Sequence, residues 1–159
     1  MRDSERVDFE WVFRSAYPSV LRTAFLILHD TGRAEEVTQD AFLRLCERWR
    51  GIVRIDHPEA WVRQVAIRSA IRVAQRNRVM SLVSQVDEAS AWDRLPDVDL
   101  ARSIAALSPQ QRAAVALFYL EEMSVGEVAA ALDVPMGTVK TRLMHARTKL
   151  HEAIMGGEL

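Results

Sequence analysis

Between Met136 and His151 the chain carries Lys140, Arg142, Arg147 and Lys149 and no acidic residue, although the whole sequence holds 22 aspartates and glutamates against 21 lysines and arginines. Clustered cations without a neighbouring acid suit phosphate oxygens, so this stretch is a candidate nucleic-acid contact. A second acid-free stretch, Arg63 to Arg78, contains five arginines. On a helix Arg68, Arg72 and Arg76 form one stripe about 80° wide, with Trp61 and Val65 in the same sector. An aromatic ring beside cations can stack on unpaired bases, and burial of Trp61 against the preceding loop accounts for it equally well. Asp87, Glu88, Asp93, Asp97 and Asp99 lie between the two basic stretches with only Arg94 to offset them. The net charge of -1 therefore conceals a sorted pattern, and the distribution rather than the sum selects a partner.

Catalytic chemistry has no comparable footing. His29, His57, His145 and His151 make no recognised metal spacing, and neither a glycine-rich phosphate loop nor a nucleophile elbow occurs. Cys46, the single cysteine, adjoins an apolar stripe and reads as a buried thiol. No enzyme activity, cofactor or metal is expected. The longest apolar run, Ala113 to Leu120, is far below the roughly 20 residues that span a bilayer, so no membrane insertion is expected. The N-terminus mixes acids with bases and lacks a signal-peptide core, and one cysteine agrees with a reducing compartment, which together point to the cytoplasm.

The elements that must position these residues are helical. Phe9, Phe13, Ala16, Tyr17, Val20, Ala24 and Leu28 recur at spacings of three and four, with Pro18 expected to delay or bend that helix. A second helix is expected after Thr31 and Gly32, with Val37, Ala41, Leu45 and Trp49 buried and Gly51 ending it. Ile52 to His57 reads as a loop, and Pro58 opens a third helix to about Arg78 whose core side carries Ala66, Ala70, Val73 and Ala74. Residues 79–99 have no period and read as a linker that could reach on the order of 70 Å. Leu100, Ile104 and Leu107 suggest a short helix. Ser108, Pro109 and Gln111 then start one that is apolar all round, hence central.

Ser124 and Glu127 cap a helix through Leu132, and Asp133, Val134 and Pro135 turn into the last helix, which Gly156 and Gly157 stop. Two helices joined by so short a turn make a helix-turn-helix, whose second helix enters the major groove. Val139, Leu143, Ala146, Leu150 and Ala153 fall on one side as its seam. Thr141, Met144, His145 and Thr148 lie opposite, flanked by Lys140, Arg142 and Arg147, so that cations meet phosphates and the central residues reach base edges.

The stretch LSPQQRAAVALFYLEEMSVGEVAAALDVPMGTVKTRLMHARTKLHEAI, from Leu107, resembles region 4 of the extracytoplasmic-function sigma factors, the promoter-specificity subunits of bacterial RNA polymerase. The GTVKTRL core is also similar to the DNA-binding domains of response regulators. The N-terminal half separates the two: DTGRAEEVTQDAFLRLCERW is similar to the region 2 segment that docks on the polymerase clamp helices, and PEAWVRQVAIRSAIRVAQRNR to the segment for the minus-ten element. The resemblance implies an all-α fold of two small helical domains, 1–78 and 100–159, joined by a flexible acidic linker over 79–99, the C-terminal domain containing the helix-turn-helix.

By the same resemblance, Thr138, Lys140, Thr141, Arg142, Met144, His145, Arg147 and Thr148 would contact the minus-thirty-five element. Arg54, Trp61, Arg68, Arg72 and Arg76 would contact the minus-ten element, and Glu35, Glu36, Gln39, Asp40, Phe42 and Leu43 would meet the polymerase. Phe42 borders the buried stripe and suits either surface. The implied partners are core RNA polymerase, promoter DNA as duplex and melted strand, and, as for many members, an anti-sigma factor. The chain departs from the family's pattern at Arg68 and Arg72, where asparagine and an acid or amide are common, at His145, where arginine is common, and at Asp133 in place of a turn glycine. A stand-alone helix-turn-helix transcription factor is the alternative, and an all-helical interaction module a third. In the sigma reading the acidic linker mimics nucleic acid within the enzyme. Neutralising Asp87, Glu88, Asp93, Asp97 and Asp99 together should then impair initiation, and an unchanged transcript yield would reject that role.

Overall fold

The computed structural model describes residues 3–53, 57–84 and 98–156, all of them in helices or short connections. In the N-terminal half, α1 (Asp3–Leu28), α2 (Thr31–Glu47) and α4 (Pro58–Ser84) pack together, with the short α3 (Trp49–Val53) between the last two. Val20 and Ala24 of α1, Val37, Ala41 and Leu45 of α2 and Ala66 and Ala70 of α4 are buried in one cluster as expected; Ile27 and Val62, which the spacing did not select, join them, whereas Phe13 is exposed and Val73 half-buried. The small residues on α4 let the other helices approach closely, which leaves its long cations on the far side. Asp30 starts α2 as its N-cap, accepting from the Arg33 backbone N–H at 2.9 Å. Thr31 and Gly32 are therefore the first residues of the helix rather than its lead-in.

Several boundaries differ from expectation for local reasons. Pro18 lies inside α1 on its exposed face, where the carbonyl it leaves without a helical partner can reach water. Gly51 does not end α2, which stops at Glu47 and is followed by α3, so Ile52 and Val53 are helical too. The third long helix continues past Arg78 to Ser84, taking the first part of the expected linker, and α5 takes its last two residues. The remaining linker residues, 85–97, lie outside the described residues. Cys46 is half-buried rather than enclosed.

The C-terminal half contains α5 (Val98–Ala105), α6 (Pro109–Val115), α7 (Val125–Leu132) and α8 (Met136–Gly156). Complete capping boxes at Ser108 with Gln111 and at Ser124 with Glu127 fix the starts of α6 and α7. Helix α6 runs into a π-turn, Ala116–Leu120, closed by the Glu121 N–H on the Ala116 carbonyl at 3.2 Å. This wider turn brings Tyr119 and Leu120 to the surface, so the helix is not central along its whole length. Helices α5, α6 and α7 are seven or eight residues long. Isolated helices below about 12 residues are marginal in water, so these depend on what they pack against.

Part of that support comes from the N-terminal half. Ala113, Ala114, Leu117, Val128 and Val139 belong to the same buried cluster as the α1, α2 and α4 seams. A polar joint accompanies it. The buried Arg112 guanidinium donates to His29 Nε2 and, at 3.4 Å, to the Ala105 carbonyl. His29 follows α1 in left-handed geometry, φ 58°. Burial, and then the positive charge of Arg112, lower its pKa from 6.5 to about 2. The unfolded chain takes up this proton near pH 6.5 whereas the folded chain refuses it, so the stability is full above that pH and falls as the solution is acidified. Each pH unit below it costs up to about 1.4 kcal/mol. Asparagine tolerates left-handed geometry, so His29→Asn should flatten the stability slope between about pH 6.5 and 5.5 in urea titrations. A slope equal to that of the parent chain would show that His29 does not set it.

Candidate nucleic-acid interface

Helix α8 is aimed by the turn before it. Asp133 adopts left-handed geometry, φ 55° and ψ 50°, and the Val134 N–H returns to the Ala129 carbonyl at 3.0 Å. Aspartate tolerates this conformation more readily than most residues. Val139, Leu143 and Ala146 are buried, which seats α8 against α6 and α7. The seam then fades: Leu150 is half-buried and Ala153 exposed.

The opposite face is open to solvent. Lys140, Thr141, Met144, His145, Arg147 and Thr148 are exposed, and Thr138 and Arg142 half-buried. All eight expected minus-thirty-five residues thus belong to one helix with no acid among them. Thr141 and Thr148 donate their hydroxyl protons to the Gly137 and Met144 carbonyls, each at 3.0 Å. Their free lone pairs remain as acceptors and their methyl groups as apolar contacts. Arg147 is already oriented. Its Nε donates to the Tyr119 hydroxyl at 2.5 Å, and its guanidinium carbon lies 5.6 and 5.7 Å from the ring centres of Tyr119 and Phe118. Lys149 donates to the Gln111 side chain at 3.2 Å, which draws it towards α6.

The arginine stripe of α4 is only partly available. Arg72 and Arg76 are exposed. Arg68 pairs with Asp133 at 3.4 Å, and both side chains remain substantially exposed, 48% and 83%. Most of the loop before Trp61 lies outside the described residues. Trp61 itself is half-buried beside an open cleft of about 440 Å³ whose other wall is Met123, Glu127, Ala130 and Ala131 of the C-terminal half. Gln64 reaches across to the Ala130 carbonyl at 3.4 Å. Arg54 lies outside the described residues.

On α2, Glu35, Glu36, Gln39 and Leu43 are exposed, Leu43 at 63%, while Asp40 is half-buried and pairs with Arg44 at 3.1 Å. Phe42 is buried, with its ring edge-on to Phe13 at 5.1 Å, so of its two candidate surfaces it serves the inner one. Sequence reasoning did not select Tyr119, Glu121 or the Arg112–His29 joint. Each acts through a partner distant in sequence, and the cap of a π-turn leaves no short-range signature. Among the described residues no group of three or more His, Cys, Asp or Glu side chains is placed to hold a metal ion. No helix among them is long and apolar enough to cross a membrane.

Comparison with known proteins covers both halves. The family model for sigma-70 region 2 matches residues 12–79, and that for sigma-70 region 4 matches residues 97–150. The chain is 30% identical to the RNA polymerase sigma-E factor of Streptomyces avermitilis, over 100% of its own length and 92% of that protein's. It is 28% identical to the ECF RNA polymerase sigma factor SigM of Mycobacterium tuberculosis, over 92% of this chain and 76% of the relative. The sigma factor RpoE of Bartonella quintana, solved in complex with the anti-sigma factor NepR, shares the fold with a TM-score of 0.74 at 19% identity, over 93% of this chain and 97% of that one.

If Lys140 meets a phosphate, Lys140→Ala should weaken duplex binding evenly across sequences and lower the salt slope by about one. Thr141→Ala or His145→Ala should instead change the preferred sequence. Equal binding profiles for the parent and all three variants would remove α8 from the interface.

Proposed function

Because the chain belongs to the RNA polymerase sigma factors of the extracytoplasmic-function group, we propose that it is a promoter-specificity subunit, joining core polymerase to two promoter elements. The observation that carries this reading is the acid-free, exposed face of α8 behind a capped helix and a left-handed turn. Lys140, Arg142 and Arg147 would hold phosphates of the minus-thirty-five element, with Thr138, Thr141, Met144, His145 and Thr148 at the bases or beside them. Arg54, Trp61, Arg68, Arg72 and Arg76 would serve the melted minus-ten strand. Glu35, Glu36, Gln39, Asp40 and Leu43 on α2 would meet the polymerase. The domains become a region 2-like body that extends to Ser84 along α4, a connection through 85–97, and a region 4-like body from Val98.

Magnitudes explain the division of labour. A few phosphate contacts give non-specific dissociation constants of roughly 10⁻⁴ to 10⁻⁶ M, and a good base contact adds about 1 to 3 kcal/mol. Two such weak readers gain about 10² to 10⁴ when a common scaffold makes the second contact intramolecular. The chain thus supplies recognition, and the RNA-forming chemistry stays with the polymerase. A stand-alone helix-turn-helix factor would leave residues 12–79 without a task. The setting is the cytoplasm, where the chromosome and polymerase are, and an anti-sigma factor, which the Bartonella relative binds, is a natural further partner.

Transcription in vitro with core polymerase on genomic templates tests this. The parent chain should co-elute with the enzyme as a monomer and start RNA at a restricted set of sites. Leu43→Glu, on an exposed residue, should fold normally and lose at least tenfold in polymerase affinity, about 1.4 kcal/mol. A parent chain that neither co-elutes nor directs any start would refute the reading.

A further inference from the structure

We infer that Tyr119 is a positioning residue for DNA binding, its hydroxyl locking the Arg147 guanidinium in place to receive a backbone phosphate beside α8. The arrangement starts with the π-turn. Leu117 is fully buried, whereas Tyr119, two residues on, is 49% exposed, with its ring edge-on to Phe118 at 4.9 Å. The turn is also anchored. Its capping residue Glu121 accepts through the side-chain carboxylate from three α1 side chains: Ser19 Oγ at 2.6 Å, Arg22 Nη2 at 3.2 Å and Thr23 Oγ1 at 3.4 Å. Phe118 and Tyr119 therefore stand as a fixed aromatic corner next to α8.

The corner holds one cation. The Arg147 guanidinium carbon lies 5.7 Å from the Phe118 ring centre and 5.6 Å from that of Tyr119, and Arg147 Nε donates to the Tyr119 hydroxyl at 2.5 Å. Ring contacts alone leave the guanidinium plane free to turn, and the Nε bond fixes its direction. That bond occupies the single donor on the stem side of the group. The four N–H donors on Nη1 and Nη2 stay available, in a planar fork that matches phosphate oxygens. From Met136 to His151 the chain has no acid to compete for them. An exposed arginine ordinarily loses much rotamer freedom when it binds, and ordering it beforehand lowers the cost of association. Tyr119 thus raises phosphate affinity without carrying charge itself. A phosphate contact carries no base information directly, so the effect is uniform over sequences. Tyr119, Phe118 and Arg147 all belong to the C-terminal half, so the lock is independent of how the two halves are disposed. The inference rests on the assignment of α8 to duplex DNA made above.

The test measures binding of the full chain to a short random-sequence duplex over a range of salt concentrations, with the Arg147 Nε–H signal followed by NMR. Tyr119→Phe keeps the ring and removes the hydroxyl. It should weaken binding roughly three- to tenfold at every salt concentration and leave the salt slope unchanged, because no charge is lost. The Nε–H signal should move to the position of a free arginine side chain. Arg147→Lys, which keeps the charge without the fork, should bind as Tyr119→Phe does. Arg147→Ala should weaken binding further and lower the slope by about one. In the Arg147→Ala background, Tyr119→Phe should cost no more than about twofold, since nothing is left to position. Parent-like affinity of Tyr119→Phe or Arg147→Lys, or an equal loss from Tyr119→Phe with and without Arg147, would overturn the positioning role. The assignment of α8 would stand in that case as long as Lys140→Ala keeps its effect. If Lys140→Ala, Arg147→Ala and Tyr119→Phe all bind as the parent does, the assignment of α8 fails and this inference with it.

Discussion

Burial that neither half completes alone is the constraint on which this molecule depends. Helices α6 and α7 are too short to persist on intrinsic propensity, and their apolar residues Ala113 and Val128, with Leu117 of the π-turn, join a cluster that continues into α1 and α4. The cluster brings the halves together, the Arg112–His29 joint and the Glu121 contacts fix their orientation, and α7 is consequently laid along α4. The position of the residues proposed to read DNA follows from that apposition. One basic face points outward, and the other is partly roofed.

Charge is arranged on the same plan. A chain with a net charge of -1 approaches DNA only if its acids are kept away from the contact surfaces. Along α8 this is achieved by sequence, since no acid occurs from Met136 to His151. Along α4 it is achieved only in part, because Asp133 comes to Arg68 through folding. Arg68 and Asp133, which the sequence resemblance singled out separately, meet here. The turn before α8 and the arginine stripe of α4 thus share a single contact between the two halves.

The periodic parts of this fold were legible in the sequence. The α2 stripe Val37, Ala41, Leu45 and Trp49, the α8 seam as far as Ala146, and the two capping boxes appear where spacing places them, because each depends on neighbours within a turn or two. The turn at Asp133, Val134 and Pro135 was legible for the same reason. Gly51 as a helix end and Pro18 as a delayed start misled because tertiary packing can extend helices across residues that disfavour them. Phe42 had been left between two surfaces, and packing places it inside. Glu121 could not be found at all. Its role is created by a π-turn that displaces it and by hydroxyls about a hundred residues earlier in the chain.

The account requires the two halves to part before both promoter elements can be read. The most direct measurement is the distance between labels on α2 and α8 as core polymerase and then promoter DNA are added to the full chain. The account predicts one narrow distance distribution in the free chain and a longer distance in every complex that makes RNA. A distance that stays unchanged while transcripts accumulate would contradict it.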